Sequence, residues 1–223
     1  MPDITLRKIV IKSDFAHFKI PYSTKIQRTY KIPPISTVVG MLKVIFNEDI
    51  TDFIVGYTFT ANDNIFRDIQ KIYKEVNLNS NYKEKDRYDK DGKWVTDICE
   101  IDYLVNPILT IYTDIKDNLN INECLNMGKT DCLAKVYSDT QVKLINTPGE
   151  GHNQWTDTNT GNGIIQRIAT ETAYNSKKGI YDINTELVQL NETFDYDVYD
   201  PEEKESIFLW KWGKGGKINV AFK

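Results

Sequence analysis

Histidine and cysteine are scarce in this chain, and that scarcity excludes much chemistry. The only histidines are His17 and His152. Neither lies in an H-x-x-x-H or comparable ligand spacing, which argues against a zinc site. Cys99, Cys124 and Cys132 make an odd set with no C-x-x-C, so neither a disulfide framework nor a cysteine-rich metal site is expected. Also missing are G-x-S-x-G, H-E-x-x-H and an evident Cys–His arrangement. No cofactor and no catalytic constellation are expected. No apolar run approaches a membrane span, and the N-terminus lacks the apolar core of a signal peptide. The expectation is a cytoplasmic protein without a membrane partner, in which the sequon Asn191-Glu192-Thr193 is fortuitous.

Net charge is low as well, at −4 for 223 residues, and does not advertise nucleic acid. Its distribution says more. Residues 1–47 carry eight Lys/Arg against two acids, Asp3 and Asp14. The remainder is acidic by about ten charges, even though it includes a basic C-terminal cluster of Lys211, Lys214, Lys217 and Lys223. One basic end on an acidic body suits a protein holding an anion on one surface and proteins on others.

The basic end contains the most informative stretch. Lys19, Lys25, Arg28 and Lys31 lie on an aromatic loop that runs into Pro33-Pro34. Ser36 or Thr37 is then expected to cap a helix. Val38, Met41, Leu42 and Ile45 follow at i, i+3, i+4, i+7 and give it one apolar face. A helix N-terminus beside four cations suits a phosphate; a capped core helix behind a solvated loop is the plainer reading.

Further elements follow from periodicity. Ile4 to Lys12 reads as a strand whose alternation slips a phase near Lys8, and Phe53 to Phe59 alternates cleanly. Ile65 to Val76 fits either a helix or an extended edge. Residues 77–92 form a charged excursion bearing Lys83, Lys85 and Arg87, with Lys93 and Trp94 just beyond. Ile101 to Tyr112 is a third strand. Leu119, Cys124 and Leu125 suggest a second helix ended by Gly128, and Cys132 to Tyr137 a fourth strand. Strand–helix–strand, insertion, strand–helix–strand is the order of an α+β ferredoxin-like sandwich. After Pro148-Gly149 the helical period vanishes. The expected division is therefore residues 1–149, with an insertion at about 77–97, and a β-rich lobe over 150–223.

Gly128-Lys129-Thr130 ends like a P-loop, but the glycine required five residues earlier is Glu123. A nucleotidase is not expected, although the tripeptide can still touch a phosphate backbone. His17, in the basic loop, is a candidate general acid–base for RNA cleavage, and His152 is expected in solvent. Glu202-Glu203 reads as a solvated run. Trp210 and Trp212 stack on bases or anchor the last strand.

Two motifs together resemble the CRISPR-associated Cas-five family, the RAMP-type subunits of type I Cascade complexes that hold the 5′ handle of the guide RNA in antiviral defence. One is Phe15-Ala-His-Phe-Lys-Ile-Pro through Arg28-Thr-Tyr-Lys-Ile-Pro-Pro-Ile-Ser-Thr-Val-Val-Gly-Met-Leu. The other, Leu125-Asn-Met-Gly128-Lys129-Thr130-Asp-Cys132, is similar to a Leu-Gly-Arg-Ser-Glu-type segment of the family. The likeness covers roughly residues 1–145 and points to a subtype I-B-like member. It implies a ferredoxin-like RNA-recognition fold with a protruding thumb, formed here by Lys83, Lys85, Arg87, Trp94 and their neighbours. It implies as partners the guide RNA 5′ handle, the backbone subunit and the large subunit. Under it Lys19, Lys25 and Arg28 neutralise phosphates, Tyr30 stacks on a base, and Ser36 and Thr37 donate to a phosphate. Gly128, Lys129 and Thr130 close the pocket. Some members of the family cut repeat RNA with a Tyr, Lys and His set. This sequence has no Lys–His pair in its central region, so a non-catalytic subunit is expected, with a metal-independent endoribonuclease as the alternative.

Overall fold

The computed structural model describes residues 3–20, 23, 25–46, 50–73, 96–120, 123–176 and 180–221. The chain opens with β1 (Ile4–Ser13), two short pieces β2 (Phe15–Ala16) and β3 (Ile26–Gln27), and the helix α1 (Ile35–Phe46). Strands β4 (Phe53–Thr60), β5 (Ile65–Tyr73), β6 (Thr96–Val105) and β7 (Ile108–Thr113) follow. Next come β8 (Leu125–Asn126), β9 (Leu133–Thr156), β10 (Ile164–Asn175) and β11 (Ile180–Asp200). The chain closes with β12 (Glu205–Ser206), β13 (Leu209–Gly213), a 3-10 turn at Lys214–Gly216 and β14 (Lys217–Val220).

One large antiparallel sheet runs in the order β10-β11-β9-β1-β7-β4-β13-β14, with β8 on β9 and β12 on β11. In a small sheet β5 pairs along one edge of β6, and the short β2 and β3 pair with β6 along its other edge. This architecture overturns the ferredoxin-like α+β expectation. Among the described residues α1 is the one α-helix, and strands dominate. The expected second helix fails for a local reason. Leu119, Cys124 and Leu125 do not repeat at helical spacing, and asparagines such as Asn118 and Asn120 are poor helix formers. Leu125 enters β8 instead, while Cys124 is exposed. The segment from Ile65 resolves to strand, pairing Ile65–Tyr73 against β6. β9 carries the chain unbroken through residue 149, hydrogen-bonded to β1 before that point and to β11 around and beyond it. The thumb residues Lys83, Lys85, Arg87 and Trp94 lie outside the described residues.

The phase slip in β1 records a strand buried on both faces. Ile9 and Ile11 join the main core with Val38, Leu42 and Ile45 of α1 and Val55, Tyr57 and Ile111 of the sheet. Leu6 faces the other way, into a second cluster with Tyr112, Val142, Leu144, Val198, Ile207 and Leu209. Lys8 shares that second face and is buried. Its Nζ lies 3.1 Å from Asp200 and 2.7 Å from Glu203. Glu202 adds a third carboxylate at 3.2 Å. The run Asp200–Glu205 is therefore a charge clamp rather than merely solvated loop. A buried ammonium is tolerable only when so paired.

Candidate nucleic-acid interface

The loop and helix of the first motif are held from a distance. The Pro33 carbonyl accepts from Tyr57 Oη at 2.8 Å and from Trp155 Nε1, on β9, at 3.1 Å. Both lone pairs are used, and the turn into α1 is fixed. The helix starts at Ile35, so Ser36 and Thr37 occupy its first turn and neither caps it. The Pro34 carbonyl takes the first helical bonds, from Thr37 N–H at 2.9 Å and Val38 N–H at 3.4 Å. Ser36, Thr37, Gly40 and Val44 line one wall of an open groove of about 320 Å³, and Leu125, Asn126 and Gly128 line the other.

The second motif packs directly on the first. His17 N–H donates to the Met127 carbonyl at 3.2 Å, and Met127 N–H to the Cys132 carbonyl at 2.8 Å. Gly128 has φ +95°, and a Cβ there would lie 2.1 Å from the His17 carbonyl oxygen. Only glycine fits such a backbone approach. Gly128-Lys129-Thr130 is thus the turn between β8 and β9, not the end of a helix.

Beside this junction lies a polar cluster. Lys129 Nζ pairs with Asp131 and reaches Tyr103 Oη at 3.1 Å, while Tyr103 Oη donates to Asp131 Oδ2 at 3.0 Å. The His17 ring sits 5.8 Å from the Tyr103 ring. His17 is buried, with Nδ1 2.7 Å from the Asp102 carbonyl and Nε2 without a hydrogen-bond partner. Nδ1 therefore carries the proton, and burial lowers the imidazole pKa below its ordinary value. The Asp102 carboxylate is buried and bridged by Arg28 at 2.8 Å and Arg67 at 2.7 Å. Burial alone would raise its pKa, but the hydrogen bonds from Arg67 and Arg28 hold it below the usual carboxylate value. Arg67, Asp102, Tyr103 and Asp131 do not stand out in the sequence. The one available signal is Asp102 itself, a charge within an apolar strand that needs partners.

The predicted residues thus divide. Ser36, Thr37 and Gly128 share the groove, and Lys129 stands next to it, already ion-paired. Thr130 is exposed in the same turn. Arg28 is committed to Asp102. Lys19 and Lys25 are exposed and form no ion pair among the described residues, and Lys31 is exposed likewise. The loop closes on itself through Ile20 N–H to the Arg28 carbonyl at 3.0 Å and Tyr30 N–H to the Phe18 carbonyl at 2.8 Å. Tyr30 lies apart from the α1 groove, half-buried and edge-to-face on Trp155 with centroids 6.2 Å apart. Trp210 and Trp212 are core anchors, donating to the carbonyls of Trp155 at 3.2 Å and Thr170 at 3.3 Å. His152 is exposed. Among the described residues no group of three or more His, Cys, Asp or Glu is placed to hold a metal ion, and no helix is long and apolar enough to cross a membrane.

No protein family and no curated protein matches the chain by sequence. Among solved structures, it is similar to a chain from a CRISPR RNA-guided surveillance complex, with a TM-score of 0.46 and 10% identity. The likeness covers 84% of this chain and 90% of that one.

Proposed function

We propose that this chain is a non-catalytic RNA-binding subunit of a type I CRISPR interference complex, holding the 5′ handle of the guide RNA beside backbone and large subunits. The observation that supports it is the junction of the two segments on which the sequence resemblance rests. They are over a hundred residues apart, yet His17 bonds Met127 and Gly128 abuts the His17 backbone. Around that junction a helix N-terminal turn and the exposed cations Lys19, Lys25 and Lys31 offer donors and charge to a phosphate chain.

Lys19→Glu with Lys25→Glu is expected to lower the guide content of the purified complex. The double variant should also flatten the salt dependence of RNA binding, by about 0.7 in the log–log slope for each phosphate no longer neutralised. Retention equal to wild type at every salt concentration would refute the role of this loop.

A second reading has one specific observation behind it: His17, Tyr103 and Lys129, distant in sequence, are neighbours in space and make a Tyr, Lys and His set. We favour the non-catalytic role because His17 Nε2 has no access to substrate and Lys129 is held by Asp131. A general base must come within hydrogen-bond reach of the proton it removes. Incubation of the purified protein with repeat RNA in chelator is expected to leave the RNA intact. Site-specific cleavage, abolished in His17→Ala, would establish the endoribonuclease instead.

A further inference from the structure

We infer that the groove between the basic loop and the β10–β11 hairpin is a nucleotide subsite for single-stranded RNA, in which Tyr30 stacks on a base and Lys31 and Arg167 take the flanking phosphates. The inference rests on the RNA-binding reading above and extends it to the C-terminal half of the chain.

The groove is open and measures about 520 Å³, within the range of small-ligand sites. Its floor is apolar, from Ile20 and Leu190, and Thr29 and Gln166 provide uncharged donors and acceptors at the sides. Tyr30 meets Trp155 edge-to-face at 79°. The two rings are not stacked, and Tyr30 is among the residues that line the groove, where its ring can meet a base. Lys31 and Arg167 are both exposed, and Arg167 is oriented by a 3.2 Å hydrogen bond from Nη1 to Thr185 Oγ1. Among the described residues no acid lines this groove.

The contrast with a neighbouring depression is informative. That one, of about 750 Å³, also uses Leu190 but is lined by Glu150, Glu192 and Asp195, with no lysine or arginine among the described residues. Its field repels a polyanion, whereas the Tyr30 groove attracts one. Cations together with an aromatic face and no carboxylate are what sequence-tolerant single-strand binding requires. The subsite unites the basic loop of the first motif with a hairpin to which the sequence alone assigns no role.

The test uses the full-length chain, alone and in its complex, with a short fluorescein-labelled single-stranded oligoribonucleotide of mixed sequence. In anisotropy titrations Tyr30→Ala is expected to weaken binding on the order of tenfold, while Tyr30→Phe stays near wild type. Arg167→Ala, at an exposed position where little change in melting temperature is expected, should flatten the log–log salt slope by about 0.7. Ultraviolet crosslinking is expected to join the RNA to the peptide containing Tyr30. Wild-type affinity and salt slope in Arg167→Ala, with crosslinks elsewhere, would overturn the subsite and leave the RNA-binding function standing. Failure of the wild-type chain and its complex to bind any RNA would overturn both.

Discussion

Gly128→Ala is expected to cost about 2–5 kcal/mol of stability and to separate the two motifs that form the candidate interface. The reasons are independent and add. The residue sits at positive φ, where a side chain is strained by about 1–3 kcal/mol. Its Cβ would also overlap the His17 carbonyl, which is backbone and cannot rotate away. Relief requires the β8–β9 turn to lift off the basic loop, breaking the His17–Met127 hydrogen bond. Urea denaturation should show a lower midpoint at unchanged slope. Guide retention, measured at temperatures where the variant remains folded, should fall with it. A variant as stable as wild type would mean that the turn is not packed against His17 as described.

Asp200→Ala is expected to lose about 3 kcal/mol or more, because it leaves a buried ammonium without its buried partner. Asp200 is fully buried and accepts from Tyr112 Oη at 2.8 Å, Lys8 Nζ at 3.1 Å and the Glu202 N–H at 2.8 Å. Burial by itself would raise the carboxyl pKa, but these hydrogen bonds lower it below the ordinary 3.8. The sign of the pH effect follows. The unfolded chain binds this proton more readily, so the contribution is complete above the ordinary value and vanishes as pH falls through the lower folded one. Burial raises the pKa of Tyr112, and the neighbouring Asp200 adds to it, so the phenol stays protonated as a donor. Melting temperatures across acid pH should therefore fall steeply for wild type and less steeply for Asp200→Ala. Asp200→Asn, which keeps an acceptor but no titratable proton, should lie between them in stability near neutral pH and share the shallow pH slope of Asp200→Ala. Parallel curves would show that the clamp carries no proton linkage.

Much of the local structure is legible in the sequence. Phe53, Val55, Tyr57 and Phe59 alternate along the chain and are all buried on one face of β4. Val38, Met41, Leu42 and Ile45 form the buried stripe of α1 as their spacing requires. Even the slip near Lys8 is visible, although its meaning is not. A strand buried on both faces shows no clean period, and the partners of Lys8 lie almost two hundred residues downstream.

Most of what fails depends on distant chain, with the second helix a local exception. The second helix is an inference from three residues of poor spacing. The helix cap falls to Ser36 or Thr37 because nothing local reveals that Trp155 and Tyr57 pin the Pro33 carbonyl. The ion pairs that Arg28 and Lys129 make with carboxylates are not read from the sequence either. Arg28 meets Asp102 across a separation in sequence that hides the pairing, and Lys129 meets Asp131 within a turn that was expected to end a helix. Tyr30, grouped with them by proximity in the chain, belongs to another groove made with Arg167.

By itself the sequence determined the strands at residues 4–12 and 53–59, the apolar face of α1, the basic N-terminal segment and the two motifs. These rest on nearest-neighbour properties, namely periodicity, local charge and backbone preference. The one strand expected over Ile101 to Tyr112, by contrast, is split at Pro107 into β6 and β7 of different sheets. Tertiary structure alone decided that the sheet is continuous from β10 to β14, that His17, Tyr103 and Lys129 are neighbours, and which cations remain exposed. Charge compensation and sheet order are fixed by long-range pairing. The free energy of a buried ion or a bonded carbonyl depends on partners that no local window contains.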